Sequence, residues 1–210
     1  LELPYPGVRF LVQDINNDGK PEIAVSATSD SQDNQTGVVW VIDAQGKLLW
    51  QKEQGPADWL SVLRSGDKTQ ALVSDNGDAG LVAYSPEGDE LWSYDAQGAV
   101  YYDTVDLLGQ GANNILLSSR TRGPMVALDA NGRELWKFSP EPTVFMNTNW
   151  TITDVNGVRS FFESWYTLAA GDNPDQSFVS RIDARTGQEV WTIRVPQTVW
   201  ATQAAETDGD

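Results

Sequence analysis

The chain has 210 residues, no Cys and no His, which excludes disulfides, Cys/His zinc or iron–sulfur sites, and Ser-His-Asp or Cys-His catalysis. With 30 Asp and Glu against 14 Lys and Arg, its net charge of −16 argues against nucleic acid, which needs a basic surface, and against an anionic membrane surface. No apolar run reaches the roughly 20 residues of a membrane helix, so membrane insertion is not expected.

The first predicted element is a strand near residues 8–13 that ends at the segment Asp14-Ile15-Asn16-Asn17-Asp18-Gly19-Lys20-Pro21-Glu22. Oxygen-bearing side chains stand at positions 1, 3, 5 and 9 of this loop, and Gly19 permits a tight coil. Calcium needs six to eight oxygens, and side chains at alternate positions converge only where the backbone wraps an ion. Asp14, Asn16, Asp18 and Glu22 are therefore candidate side-chain ligands for Ca2+, with Lys20 offering its carbonyl. The other reading of the same residues is an Asn/Asp/Gly turn without an ion.

A second strand near 22–28, a third near 37–43 and a fourth near 47–53 complete a repeat. The third and fourth flank a polar turn with Gly46 and end in Leu49-Trp50, which reads as a β-hairpin. The pattern recurs at Ala83–Trp92 around Gly88, at Ala127–Trp136 around Gly132, and at Arg181–Trp191 around Gly187 with one residue inserted. The spacings from Trp50 through Trp92 and Trp136 to Trp191 are 42, 44 and 55 residues. Weaker copies of the loop precede these hairpins. One uses Asp106, Gln110 and Asn114, one uses Asp154 and Asn156, and Leu63–Val73 keeps only the turn; all three are read as plain turns.

Glu206, Asp208 and Asp210 fit positions 1, 3 and 5 of a further, incomplete loop. Aligning Glu206 with Asp14 gives 192 residues over four repeats, or 48 each. Tandem four-stranded units of 40–50 residues mark propeller blades, because a single blade cannot bury both of its faces. The expected fold is an all-β propeller. Its full repeats run roughly 8–53, 58–95, 100–138 and 145–194, and a fifth begins near 198. These form a single, incomplete domain: an open arc continued by further residues or another chain.

Two further sets of residues need a reading. Trp50, Trp92, Trp136 and Trp191 recur at one repeat position, so they are expected to wedge between blades rather than stack ligands, each burying on the order of 150–250 Å². Phe10, Tyr102 and Trp150 lie four residues before a loop start, with Trp59 near the equivalent place. They line a funnel or fill the narrow centre, and the reading favours core. Asn34 and Asn149 head glycosylation sequons, Asn34 in a long polar connection and Asn149 in a strand.

The loop at Asp14–Glu22 followed by Ile23-Ala24-Val25 resembles the FG-GAP repeat of integrin α-type propellers. The Asp-x-x-Gly-x-x-Leu-Trp hairpins resemble the tryptophan-docked blades of pyrroloquinoline-quinone-type propellers. The resemblance implies a secreted or surface-exposed scaffold, extracellular or at the cell surface, with structural calcium. Its loop faces would take a protein or glycan partner, and further copies or chain segments would complete the propeller. No catalytic residue is assigned and no carboxylate pair stands out. The enzyme alternative is a propeller fragment of a carbohydrate-active enzyme such as a polysaccharide lyase, a resemblance in fold only.

Overall fold

The computed structural model describes residues 7–28, 36–96, 100–109, 113–119, 123–140, 145–146, 150–167 and 176–196. All of its regular structure is strand. Sheet one comprises β1 (Gly7–Gln13), β2 (Glu22–Thr28), β3 (Gly37–Ile42) and β4 (Leu48–Gln54), in that order. Sheet two comprises β5 (Leu60–Ser65), β6 (Lys68–Asp75), β7 (Leu81–Tyr84) and β8 (Glu90–Tyr94). Sheet three runs β9 (Val100–Val105), β10 (Asn114–Ser119), β11 (Met125–Leu128), β12 (Glu134–Phe138). In sheet four, β14 (Thr151–Val155) and the short β13 (Phe145–Met146) both pair with β15 (Val158–Thr167), followed by β16 (Gln176–Asp183) and β17 (Glu189–Val195). Each is the antiparallel meander of a propeller blade, and the fold is that of β-propeller blades.

The third strand of the first three blades is a continuous apolar run: Gly37-Val38-Val39-Trp40-Val41-Ile42, Leu81-Val82-Ala83-Tyr84 and Met125-Val126-Ala127-Leu128. Every residue of these strands is buried, as expected where both faces of a sheet are covered. The fourth strand alternates instead, β4 having every second residue exposed, because it is the outer edge of its blade. At one position on the second strand, opposite the residue two places before the hairpin bulge, Ser26, Ser118 and Ser164 are fully buried, and blade two places Asp75 there at 2% exposed.

A β-bulge recurs just before each hairpin turn, between Val41 and Ile42, Ala83 and Tyr84, Ala127 and Leu128, and Arg181 and Ile182. Trp50 pairs with Val41 and Leu48 with Ile42, which leaves Leu49 as the extra residue. Leu91, Leu135 and Val190 are skipped in the same way. The extra residue is exposed in all four blades, while the bulge re-aims the Trp that follows it. The Leu/Val-Trp dipeptide breaks the period-two alternation of a strand and is the sequence trace of this bulge.

The chain divides into two compact units, one of Leu1–Thr104 with Ala130–Gly132 and one of Val105–Asp129 with Arg133–Asp210. In the first, Ile15, Ala24, Val39, Val41, Ala57, Val62 and Leu72 form one core, and Val25, Ala27, Val38, Trp40 and Ile42 form another. In the second, Leu107, Leu116, Met125, Ala127, Trp136, Phe138, Phe161, Ile182 and Ala184 pack together. Among the described residues no helix is long and apolar enough to cross a membrane.

Candidate functional site

The β1–β2 connection holds the expected ligand residues in one coiled loop. Asn17 and Gly19 take left-handed backbone angles (φ 62° and 85°), which a short polar side chain and a glycine tolerate. The coil lets side-chain oxygens fold back on the loop's own amides. The Asp14 carboxylate accepts from the N–H groups of Asp18 (3.1 Å) and Gly19 (3.0 Å). Asn16 Oδ1 accepts from the Asp18 N–H at 2.9 Å, and Asp18 Oδ1 from the Lys20 N–H at 2.8 Å.

Glu22 is only 2% exposed, and its Oε2 accepts from the N–H groups of Ile15 (2.8 Å) and Asn16 (3.1 Å). Its carboxylate therefore fastens the end of the loop to its beginning. The donor set of Asp14, Asn16, Asp18, Glu22 and the Lys20 carbonyl is oxygen only, which suits a hard cation such as calcium. Among the described residues no three Asp, Glu, His or Cys side chains are gathered so as to hold a metal by themselves. The loop is instead closed by hydrogen bonds to its own backbone.

The same loop fastens blade one to blade two. Asn17 Nδ2 donates to the Thr69 carbonyl at 2.9 Å, and the Thr69 N–H donates back to Asn17 Oδ1 at 2.8 Å. Thr69 Oγ1 donates to the Asp14 carbonyl at 2.7 Å, and Arg64 donates to the Gln13 side chain. Beneath them Ile15 is fully buried in a core shared with Val62 and Leu72 of the second blade. The sequence reading missed Asn17 and Thr69. An Asn placed where φ is positive was the available signal for the first, whereas Thr69 lies 52 residues away and carries no local mark.

Among the described residues, three of the four hairpin tryptophans are docked. The Nε1–H of Trp50 donates to the Pro86 carbonyl at 2.9 Å, that of Trp92 to Ala130 at 3.0 Å, and that of Trp136 to Ala184 at 2.9 Å. Each indole lies over the glycine of the next hairpin. A methyl group on Gly88, Gly132 or Gly187 would meet the ring at 2.8, 2.6 or 2.7 Å. Glycine is needed there twice over, because all three also have positive φ. Trp136 is further packed on Phe161, with ring centroids 6.2 Å apart.

The aromatics ahead of each loop do not form one set, which corrects the reading that favoured core for all of them. Tyr102 is buried, and its hydroxyl donates to the carbonyl of Val73 at 2.8 Å and lies 3.1 Å from that of Trp59. Burial, with Asp75 and Asp103 nearby, pushes its pKa well above the usual tyrosine value. Trp150 is half-buried against Phe161. Phe10, by contrast, is 72% exposed, and Trp59 is exposed with the Arg9 guanidinium 4.9 Å from its ring centroid. Val8, Arg9, Phe10, Trp59 and Leu60 line an open groove there. Phe10 and Tyr102 occupy matching strand places, so coverage of the face separates them: Val8, Phe10 and Val12 are exposed where Val100 and Tyr102 are buried.

Of the weaker loops, Asp154 is ion-paired with Arg159 at 3.1 Å, and Arg159 also donates to the Asp106 carbonyl at 3.0 Å. Asn156 and Gly157 form an ordinary positive-φ turn, and Asn114 is buried in β10. Gln110, Asn34, Asn149, Glu206, Asp208 and Asp210 lie outside the described residues.

The family model described as outer membrane protein assembly factor BamB, a PQQ-type repeat model, matches residues 35–142, which is half of the chain. The FG-GAP repeat model matches residues 7–42, which contain β1, the oxygen-lined loop, β2 and β3. A comparison with curated proteins finds no match. Among solved structures, the Dos1 propeller is 18% identical with a TM-score of 0.51, over 84% of this chain and 45% of that one. The V. cholerae biofilm matrix protein Bap1 is 19% identical with a TM-score of 0.50, over 88% of this chain and 28% of that one. At these identities the likeness is one of fold, and this chain spans less than half the length of either.

Proposed function

The chain belongs to the PQQ-type repeat family whose model is described as outer membrane protein assembly factor BamB, and from that premise we propose that it is a calcium-stabilised propeller scaffold, extracellular or at the cell surface, that holds a protein or glycan partner on its loop faces. The observation that carries this reading is the Asp14–Glu22 loop. It is an FG-GAP loop with an oxygen-only donor set, and it is hydrogen-bonded at Asp14 and Asn17 to the neighbouring blade through Thr69.

Asp14, Asn16, Asp18 and the Lys20 carbonyl would hold the ion, with Glu22 completing or bracing the set. Bound calcium would neutralise the charges of Asp14, Asp18 and Glu22, which otherwise repel one another. Asn17 and Thr69 transmit the order of the loop to the seam between the first two blades. One open loop suits an affinity of about 10⁻⁴–10⁻³ M, the range of extracellular modules. The acidic composition, the FG-GAP repeat and the fold shared with a biofilm matrix protein support an extracellular or surface setting.

The test is thermal unfolding of the wild type and Asp18→Ala with calcium and with chelator. Calcium should raise the wild-type melting temperature and leave Asp18→Ala unmoved. The expected stabilisation is roughly 2.7 kcal/mol when free calcium is 100 times its dissociation constant. An unchanged wild-type melting point would reduce the loop to a turn. Binding of the calcium-loaded chain to an array of glycans and extracellular proteins tests the partner half. No retained ligand on any surface would defeat it.

A further inference from the structure

The loops of blades one and three correspond residue by residue at their start. Asp14-Ile15-Asn16-Asn17 of the first stands where Asp106-Leu107-Leu108-Gly109 stands in the third. Ile15 and Leu107 are both fully buried, each in a core that its blade shares with the next. Asn17 and Gly109 both take left-handed backbone angles, φ 62° and 66°. The following blade matches as well. Thr69 and Arg159 are each the second residue after a two-residue turn, Gly66-Asp67 and Asn156-Gly157. At both seams that residue bonds to the same carbonyl: Thr69 Oγ1 donates to Asp14 at 2.7 Å, and the Arg159 guanidinium donates to Asp106 at 3.0 Å.

The chemistry of the two loops differs. The first sets Asp14, Asn16 and Asp18 around its coil and sends Asn17 across to the backbone of Thr69. In the third, Leu108 and Gln110 replace Asn16 and Asp18, Asn114 replaces Glu22, and Asp106 is the one acid left. Asn114 is buried and its Oδ1 accepts no hydrogen bond among the described residues, whereas Glu22 ties down the amides of Ile15 and Asn16. A single carboxylate among neutral side chains does not fit an ion that takes six to eight oxygens. Gly109 has no side chain to send across. Arg159 reaches back instead. A methyl group on Gly109 would stand 3.6 Å from its Nε and 3.8 Å from its Cζ, and its other arm is ion-paired with Asp154 at 3.1 Å.

We propose that Arg159 does at the third loop what calcium does at the first: it supplies the positive charge that holds the loop against the next blade, so this seam does not respond to calcium. The proposal rests on the calcium reading of the first loop. A guanidinium is always charged and presents donors on both arms, so one side chain spans from the Asp154 carboxylate to the Asp106 carbonyl. Being part of the chain, it holds whatever the ion concentration. The protein thus carries one seam that calcium tightens and one that is locked without it.

Hydrogen exchange read by mass spectrometry on the whole chain, in calcium and in chelator, tests this. In wild type, calcium should slow exchange at residues 14–22 and 68–71 and leave residues 105–109 and 158–161 unchanged. Arg159→Met keeps the apolar stem and loses the charge. It should speed exchange at 105–109 and 158–161 about tenfold, the worth of a charge-assisted hydrogen bond, equally in calcium and in chelator. Arg159→Thr should do the same, and adding Gly109→Asn, which installs the pair of the first seam, should recover most of the loss. Exchange at 105–109 that calcium slows in wild type overturns the proposal, as does an Arg159→Met chain that exchanges like wild type. So does a double variant no better than Arg159→Thr alone. If Arg159→Met lost the wild-type near-UV circular dichroism, Arg159→Gln would take its place, because it keeps a donor and lacks the charge. Calcium that slows exchange at neither loop defeats the calcium reading, while the Arg159 variants still decide what holds the third seam.

Discussion

Replacing Trp136 with Ala removes the most buried of the docked indoles, and its cost can be worked from what the ring touches. The residue is 6% exposed, its N–H bonds to Ala184 at 2.9 Å, and its ring rests on Phe161 and Gly187. Burial of a Trp on the order of 200 Å², at about 25 cal/mol per Å², is worth about 5 kcal/mol. Partial collapse of the cavity brings the expected loss to about 3–5 kcal/mol. About 1 kcal/mol of it belongs to the hydrogen bond, since the Ala184 carbonyl is left without its donor. Trp136→Phe isolates that share. Trp191→Ala is the internal control: the same substitution at the same repeat position, on a residue 37% exposed, should cost about 1–2 kcal/mol on the same area scale. Urea unfolding followed by circular dichroism and by tryptophan fluorescence measures both, each probe reporting whether the two units melt together. In a chain of this size 4 kcal/mol corresponds to a melting shift of about 8–16 °C. Equal losses for Trp136→Ala and Trp191→Ala would refute the claim that docking, rather than strand position, sets the stability.

The glycines give a matched test. Gly187→Ala and Gly46→Ala both place a methyl at positive φ, worth about 1–2 kcal/mol, but only at Gly187 does it strike an indole, adding about 1–3 kcal/mol of overpacking. Denaturation midpoints that fall equally would show that the ring yields freely. Thr69→Val keeps the shape of the side chain and loses the bond to the Asp14 carbonyl, so it should lower stability by about 1 kcal/mol and weaken any calcium-induced rise in melting temperature. A calcium response identical to wild type would separate the loop from the blade seam. At alkaline pH, Tyr84 is held protonated by burial and by Glu90, with its pKa raised from 10.0 to about 12, and its hydroxyl donates to Gln54 at 2.7 Å. The unfolded chain ionises first, so this stabilisation is whole below pH 10 and is lost as pH rises toward 12. Tyr84→Phe should flatten the stability profile in that window, and an unchanged slope would place the alkaline sensitivity elsewhere.

Much of the fold was written in the order of the residues. The strands expected near 8–13, 22–28, 37–43 and 47–53 occur at Gly7–Gln13, Glu22–Thr28, Gly37–Ile42 and Leu48–Gln54. They were legible because glycines with positive φ punctuate each hairpin, and because tandem repetition makes four weak local signals agree. The indoles were legible as inter-blade wedges for the same reason: a residue that recurs once per repeat answers to a need of the repeat. The oxygen spacing from Asp14 to Glu22 likewise marked a coiled loop, since alternate side chains can converge only around a tight backbone.

What the sequence left open depends on partners far along the chain. Nothing near Thr69 announces that it receives Asn17 across 52 residues, and nothing in the spacing says that Glu22 ties down the amides of Ile15 and Asn16. Tyr102 and Phe10 occupy matching places before their loops, yet one is buried and the other is 72% exposed. Trp136 and Trp191 end near-identical hairpins, yet the first is 6% exposed and the second 37%. Local sequence sets periodicity, turns and which side chains can dock. Whether a given face is covered is decided by the neighbouring blade, because burial is a property of two surfaces and the chain spells out only one of them at a time.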